Sequence, residues 1–551
     1  MLKDYHKSIV AYFSMEIAVE NEIKTYAGGL GVLAGDILKS AARLGFPMVG
    51  ITLLNNKGYF EQKITSVGEQ AEQPDSAYNF SRFKKLDQQV TVTIGSEKVT
   101  VGVWQYLVKG AIGFVVPIYF LDTDITSNST ANRQLSGQLY GGDREYRLKQ
   151  EIILGRAGVK MLRALGYDEI KRFHLNEAHG SLAAVELFLN SEKKTDSEKI
   201  KEVRGQCVFT THTPVSRGQD VFSLAYLKQF QPDFPDCLKS LVEKGEINFT
   251  CLGLYLSAFA NAVSRQHRLT AQKMFPKYKI RAITNGVDSL FWTAPEFKKL
   301  YDKYLPGWRL DNGRLHLARK IPLAELRMAH QKNKKKMVEY INHKKSADFK
   351  KDIFTICFAR RFAPYKRPEF LLSDLNRLLA LRRVGEIQIV YAGKAHPQDM
   401  EGRELIKEIW MSRNKLAGKI KMVFLENYDL EQARLLTAGA DVWLNTPLPP
   451  NEASGTSGMK AAHNGVPQLS TLDGWWPEGY KKNKTGWAIK ETGDVGRRAR
   501  SNLYDLLEKE ILPLYYQSPE KWEKLRRSVI SLNASVFNAE RMLRQYIKEA
   551  Y

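Results

Sequence analysis

The sequence predicts an α/β chain in which mostly parallel sheets are wound with helices on both faces, and the evidence is clearest in its second half. There, apolar runs at 353–358, 387–392, 420–425, 442–444 and 466–469 alternate with helix-like stretches such as 367–383, the pattern of a parallel doubly wound sheet. The first half repeats the theme at 9–13, 48–53, 173–175, 208–210 and 280–283, with helical runs at 152–165 and 181–189 between them. Between about 295 and 352 the chain is rich in charge and carries turn signals at Pro306-Gly307 and Asn312-Gly313, which marks a boundary. Two Rossmann-like domains facing a cleft follow, at 1–295 and 351–520, joined by a basic linker and connecting helix at 296–350.

Each further element has a local reason. Leu323, Leu326, Met337, Tyr340 and Ile341 recur at helical spacing, so Lys332, Lys334, Lys335 and Lys336 read as the wet face of that connecting helix. Ser518-Pro519-Glu520 starts a helix, and Asn538 caps a last one whose stripe is Met542, Leu543, Tyr546 and Ile547. These terminal helices, 521–551, are expected to pack back across the first domain.

Composition narrows the function classes. With 551 residues, 43% hydrophobic and 26% charged, the chain has the make-up of a large globular protein. Neither a signal peptide nor a run of about 18 apolar residues is found, so a cytoplasmic protein without membrane partners is expected. Cys207, Cys237, Cys251 and Cys357 lack metal-type spacing and suit a reducing compartment; no metal site is expected. The net charge of +23 invites nucleic acid, yet the lysine clusters have no interleaved aromatics for stacking bases. Attraction of small anionic substrates fits better.

Four segments carry candidate chemistry. Asn451 to Lys460, NEASGTSGMK, follows the apolar run at 440–444. Ser454, Gly455, Thr456, Ser457 and Gly458 leave N–H groups and hydroxyls open at a helix start, where an anion such as phosphate docks. Lys460 is poorly placed for the helix dipole, so it is either solvated or reacts with something in that cradle. A surface loop ending in an exposed lysine has the same pattern. After the strand ending at Phe358, Arg360, Arg361, Lys366 and Arg367 put four cations at a helix start, a cost an anion would offset. Tyr26 to Gly31 forms a second glycine loop, which has a purely structural use as well. His179, in Asn176-Glu177-Ala178-His179, and His212, in Thr211-His212-Thr213, lie just past strands, where structural histidines are also common.

Together these segments resemble the α-glucan (glycogen, starch or maltodextrin) phosphorylase family, from about Ala11 to the terminal helix. Glu452 to Lys460 is similar to the family segment whose lysine carries pyridoxal 5′-phosphate. Tyr26 to Asp36 resembles its glycine loop, Arg361 to Lys366 its substrate-phosphate pair, and Ala260 to His267 the segment with a sugar-site asparagine, here Asn261. The resemblance implies a glycosyltransferase of the GT-B type that phosphorolyses an α-1,4-glucan with inorganic phosphate, releasing α-glucose 1-phosphate with retention. In this family the coenzyme phosphate serves the acid–base step. Lys460 would anchor it, the cradle from Ser454 to Gly458 and Arg360 would hold its phosphate, and Tyr428 would flank its ring. Arg361 and Lys366 would hold the attacking phosphate, with the Gly28 and Gly29 amides completing the anion pocket. Glu452, Asn261, the His212 backbone, His179 and Leu30 would meet the sugar.

There are departures from the family pattern. Ala262 replaces a glycine beside the sugar-site asparagine, and the acidic and amide gating loop of longer members is not recognisable. The chain is expected to lack their N-terminal regulatory extension. Asp473 to Tyr480, DGWWPEGY, resembles the shorter bacterial-type branch. A homo-oligomer is compatible with all of this. A nucleotide-sugar-dependent glucan synthase would share the fold and glycine loop without needing Lys460, and a non-catalytic glucan-binding protein is the third alternative.

Overall fold

The computed structural model describes residues 9–23, 25–75, 79–215, 218–491 and 497–551. Contacts divide the chain into two units, one of Met1–Phe60, Pro74–Thr284 and Met542–Tyr551, the other of Glu61–Gln73 and Asn285–Arg541. Among the described residues no helix is long and apolar enough to cross a membrane.

The first unit is built on a nine-stranded sheet. From one edge it runs Ile280–Ala282, Phe259–Ala262, Cys207–Thr211, Arg172–Asn176, Val10–Phe13, Met48–Leu53, Val115–Asp122, Glu97–Lys109 and Lys84–Ile94. The first seven are parallel and the last two add antiparallel. Val10–Phe13 lies at the centre with all four residues buried, as a strand covered on both faces requires. The chain order reverses beside it, since Met48–Leu53 pairs on one side and Arg172–Asn176 on the other. The antiparallel edge is not among the strands read from the sequence. In Lys84–Ile94 exposed lysine, aspartate and glutamine interrupt the first half and exposed threonines alternate with apolar residues in the second, and such half-wet strands leave no continuous apolar run to find.

The second unit carries six parallel strands, ordered Lys421–Leu425, Ile387–Ala392, Phe354–Ala359, Val442–Asn445, Gln468–Thr471 and Gly486–Ile489. This is the dinucleotide-binding strand order, with its switch point between Phe354–Ala359 and Val442–Asn445. Residues 367–383 are not the single helix the sequence predicts. Arg367 sits at φ +47 before Pro368, and short turns at Pro368–Leu372 and Leu381–Arg383 flank a helix at Leu375–Ala380; a proline disfavours helical geometry in the residue before it.

The unit boundaries differ from the sequence expectation. The first unit's main span ends at Thr284 rather than 295. The 296–350 segment does not stand between domains: Phe297, Tyr301, Trp308 and Leu326 share a buried core with Ile530 and Ala534 inside the second unit. Of 521–551, only Met542–Tyr551 belongs to the first unit. Asn538 caps that last helix, its Oδ1 accepting from Arg541 N at 2.8 Å. Ile547 remains 37% exposed, outside the buried stripe. The wet lysine face of Leu323–Lys345 has one exception, because Lys334 is buried and donates to Asp441 Oδ2 at 2.5 Å, Ile353 O at 2.7 Å and Tyr515 Oη at 3.1 Å.

Candidate active site

In the second unit the switch point brings two predicted segments into contact. Ile356 and Cys357 pair with Val442 and Trp443, so the turns after both strands leave the same edge. Glu452 Oε2 accepts from Arg360 Nη2 and Lys366 Nζ, each at 2.5 Å, and Arg360 Nη1 donates to Asn445 Oδ1 at 3.0 Å. Burial alone would raise the Glu452 carboxyl, but the two cations outweigh it and hold the group at about 2. Glu452 is therefore ionised at any working pH. Arg361 is exposed beside them, and Lys366 Nζ lies 4.3 Å from the Tyr365 ring centroid.

The cradle is equally defined. Gly455 adopts φ +77, and a Cβ at Gly474, itself at φ +58, would stand 2.4 Å from Ser454 O. Asp473 fastens the two loops, its Oδ2 accepting from Glu452 N and its Oδ1 from Gly474 N, both at 2.8 Å. Burial pushes that carboxyl up to about 7 despite the two donors. Lys460 occupies the helix Ser457–Ala462 and is buried, with Nζ 4.1 Å from the Trp292 ring centroid, a cation–π placement. This corrects the alternative of an exposed surface lysine. That helix is fixed by Ala294 N donating to Asn464 Oδ1 at 2.7 Å and by Ser289 Oγ pairing with His463 Nε2 at 2.9 Å. Among the described residues the buried Ser454 Oγ and Arg360 Nε have no protein hydrogen-bond partner. Trp443 Nε1 donates to Ser457 Oγ at 3.0 Å, while Gly458 packs where a Cβ would meet Gln468 Oε1. Tyr428 is half-buried among residues of the same sheet, packed with the cluster of Ala359, Ala392 and Trp443.

In the first unit the predicted residues gather at the carboxyl ends of the central strands. His212 Nε2 pairs with Asn176 Oδ1 at 2.7 Å, and His212 N donates to Glu177 Oε2 at 2.6 Å. The N–H of the His212 backbone is thus engaged by Glu177, which leaves its carbonyl as the part of that backbone to meet a sugar hydroxyl. His179 is buried, its Nε2 3.6 Å from Asp220 Oδ2, and burial with the nearby Arg147 lowers it to about 3. Glu151, His179 and Asp220 are grouped closely enough to suit a cation, but the Arg147 guanidinium supplies that charge, with Nε 2.9 Å from Glu151.

Two expectations from the sequence differ from the structure in this unit. Gly28 N is not open to a phosphate, because Glu16 Oε2 accepts from Ala27 N at 2.6 Å and Gly28 N at 3.1 Å; Gly29 is exposed and Leu30 half-buried at the start of Gly29–Leu44. Asn261 is fully buried, donating to Tyr546 Oη at 3.0 Å and accepting from Thr210 Oγ1 at 2.9 Å. Its side chain alternates to the face covered by the terminal helix. Asp473, Glu16, Glu177 and Arg147, which surround the predicted residues, are not among the candidates the sequence offers. The strand-end argument that found Arg360 reaches Asp473 and Glu177 as well, whereas Glu16 and Arg147 carry no local signal.

The comparisons divide along the chain. Residues 239–476 match the family described as carbohydrate phosphorylase, and residues 12–304 match the starch synthase catalytic domain. The chain is 36% identical to the maltodextrin phosphorylase of Thermococcus litoralis over 98% of its length and 70% of that protein's. It is 35% identical to the glycogen phosphorylase of Aquifex aeolicus, over 100% of this chain and 87% of that one. With the glycogen phosphorylase of Mycobacterium tuberculosis the identity is 33%, over 98% and 70%. The synthase match stays within the half that lacks Lys460, and the likeness to phosphorylases runs through both halves of a GT-B-type α/β fold, so the chain belongs to the α-glucan phosphorylase family.

Proposed function

We propose that the protein is an α-1,4-glucan phosphorylase. Inorganic phosphate attacks the non-reducing-end glucose, and α-glucose 1-phosphate leaves with retention from a chain one unit shorter; the reaction is reversible. The observation that carries this reading is the contact of Glu452 with Arg360 and Lys366 at the switch point, in the unit that also buries Lys460. Arg360, Arg361 and Lys366 bring three positive charges and Glu452 one negative, which leaves two positive charges where anions must be held. A phosphate dianion needs such compensation, and in a site of low dielectric it is worth far more than in water.

The cradle fits pyridoxal 5′-phosphate. Ser454 Oγ and Arg360 Nε are buried donors without protein partners, Gly455 turns the loop at φ +77 without a side chain, and Lys460 supplies the amine. Bound there, the coenzyme supplies an ionisable phosphate able to give and take a proton beside the substrate phosphate. Lys460 anchors it and Trp292 holds the lysine in place. Arg361 and Lys366 position the substrate phosphate, and Glu452, ionised and held from two sides, accepts from sugar hydroxyls as well as from its cations. In the first unit His212 and His179 are the sugar-facing candidates, with His212 offering its carbonyl because its N–H is engaged.

The match of residues 12–304 to a starch synthase domain favours a second reading, a nucleotide-sugar-dependent synthase. Borohydride reduction followed by peptide mass mapping separates them. A pyridoxyl-phosphate adduct on Lys460, absent in Lys460→Ala, is the expected result, with phosphate-dependent release of glucose 1-phosphate from maltodextrin. Absence of the adduct after incubation with excess pyridoxal phosphate would move the synthase to the front.

A further inference from the structure

Glu177 occupies a backbone conformation in which a side chain is a burden. It ends the Arg172–Asn176 strand with φ +80 and ψ 173, a region that belongs essentially to glycine. Gly113, Gly166 and Gly245 adopt the same φ elsewhere in the unit, so a glycine is the ordinary solution to such a turn. A glutamate kept there needs a reason in its side chain.

The hydrogen bonds supply one. Glu177 N still donates to Thr210 O at 2.8 Å, so the backbone stays in register with Cys207–Thr211. The carboxylate then bridges the two strand ends: Oε1 accepts from Ala178 N at 3.0 Å, and Oε2 accepts from His212 N at 2.6 Å and Thr213 Oγ1 at 3.0 Å. Asn176 holds the His212 ring from the other end at 2.7 Å and itself donates to Ser14 Oγ at 3.1 Å. His212 is therefore gripped by ring and by backbone, both through residues of one strained turn. Stability alone does not call for this arrangement. A glycine at 177 would remove the strain while leaving the Glu177 N to Thr210 O bond in place.

We propose that Glu177 is a positioning residue for sugar recognition: its carboxylate sets the Thr211–His212–Thr213 turn, and thereby His212, in the orientation that meets the terminal glucose. The inference rests on the phosphorylase reading above. Glu177 does not touch phosphate or coenzyme in this scheme, so its loss falls on the sugar side. A glutamine would retain shape and one acceptor but turn an N–H donor toward the donors of the turn. An aspartate would keep the charge on a shorter arm.

The test is steady-state kinetics on the pyridoxal-loaded enzyme and its Glu177→Gln, Glu177→Gly and Glu177→Asp variants, with bound pyridoxal phosphate and melting temperature measured alongside. The expected result for the glutamine and glycine variants is a loss of about 10²-fold in kcat/KM for glucose 1-phosphate, the scale of a misplaced recognition group. The KM for phosphate and the coenzyme content stay at wild-type values, and aspartate restores part of the loss. The glycine variant, relieved of strain, should be folded and as inactive as the glutamine one. Wild-type kcat/KM in the glutamine variant overturns the proposal, as does a loss shared equally by phosphate KM and coenzyme content in the folded glycine variant. A wild-type enzyme with no phosphate-dependent turnover refutes instead the reading on which the proposal rests.

Discussion

The two units place their strand ends in the same way but fill them with different chemistry. In the second unit the groups are charged and meet directly, Glu452 being clasped between Arg360 and Lys366. In the first unit, beside the carboxylates of Glu16 and Glu177, neutral groups act through relays: Ser14 to Asn176 to His212, and His174 to Thr210 to Asn261, with Tyr551 and Tyr546 closing the second chain. Buried imidazoles there are kept neutral, His174 being lowered to about 3 by burial. The contrast suits a division of labour. Anions need uncompensated positive charge, which several cations gathered around one carboxylate leave in excess, whereas sugar hydroxyls need oriented donors and acceptors without net charge.

The sharpest way to break the contrast is Glu452→Ala. It removes the single anion between two buried cations, and breaking a buried pair costs about 3–5 kcal/mol because the partners remain uncompensated. Denaturant unfolding should show that loss in the apo-protein, and added phosphate should recover part of it by supplying the missing negative charge. No destabilisation, or none that phosphate relieves, would mean that the clasp is not an electrostatic unit.

The charged half was the legible one, and the reason is physical. A continuous apolar run followed by clustered cations or small residues writes both a strand and its site into one short segment, as at 353–367 and 440–460. The neutral half is assembled by contacts of long sequence separation. Nothing near Asn261 in the sequence announces Tyr546, 285 residues away, so its amide was assigned to sugar when it is spent inside the unit. Gly28 misled for a related reason. A glycine loop states that the backbone approaches something closely, and here the partner is Glu16 rather than an anion. Lys334 shows the limit of periodicity, since one member of a lysine cluster turns inward to meet an aspartate that only the fold supplies.

A relay should respond to loss of one hydroxyl less severely than a clasp responds to loss of its anion. Tyr546→Phe removes the phenol shared by Thr210 and Asn261 while keeping the ring, which lies 5.1 Å from that of His174. Leaving buried polar groups short of a partner costs about 1–3 kcal/mol. Unfolding should register that smaller loss, without the phosphate rescue seen for Glu452→Ala. A loss equal to that of Glu452→Ala would show that relay and clasp do not differ in strength.

The smallest effect concerns Asp473, a carboxyl beside the clasp that burial favours in neutral form. Asp473 is raised to about 7, against about 3.9 for an unfolded aspartate. Between those values the folded protein holds a proton that the unfolded chain releases, so this residue's contribution is complete below about pH 4 and declines as pH rises through 7. Glu452 runs the other way. Lowered to about 2, it contributes above its unfolded value, about 4.3, and that share disappears as pH falls through 2. Asp473→Asn should therefore flatten the decline of stability between about pH 4 and 7 relative to wild type, while leaving the acid limb set by Glu452 in place. The asparagine keeps one acceptor oxygen for Glu452 N or Gly474 N, so the two loops remain joined and the change appears in the slope of stability against pH rather than in its level at acid pH. An unchanged slope would place the Asp473 proton elsewhere and leave the charged half governed by its cations alone.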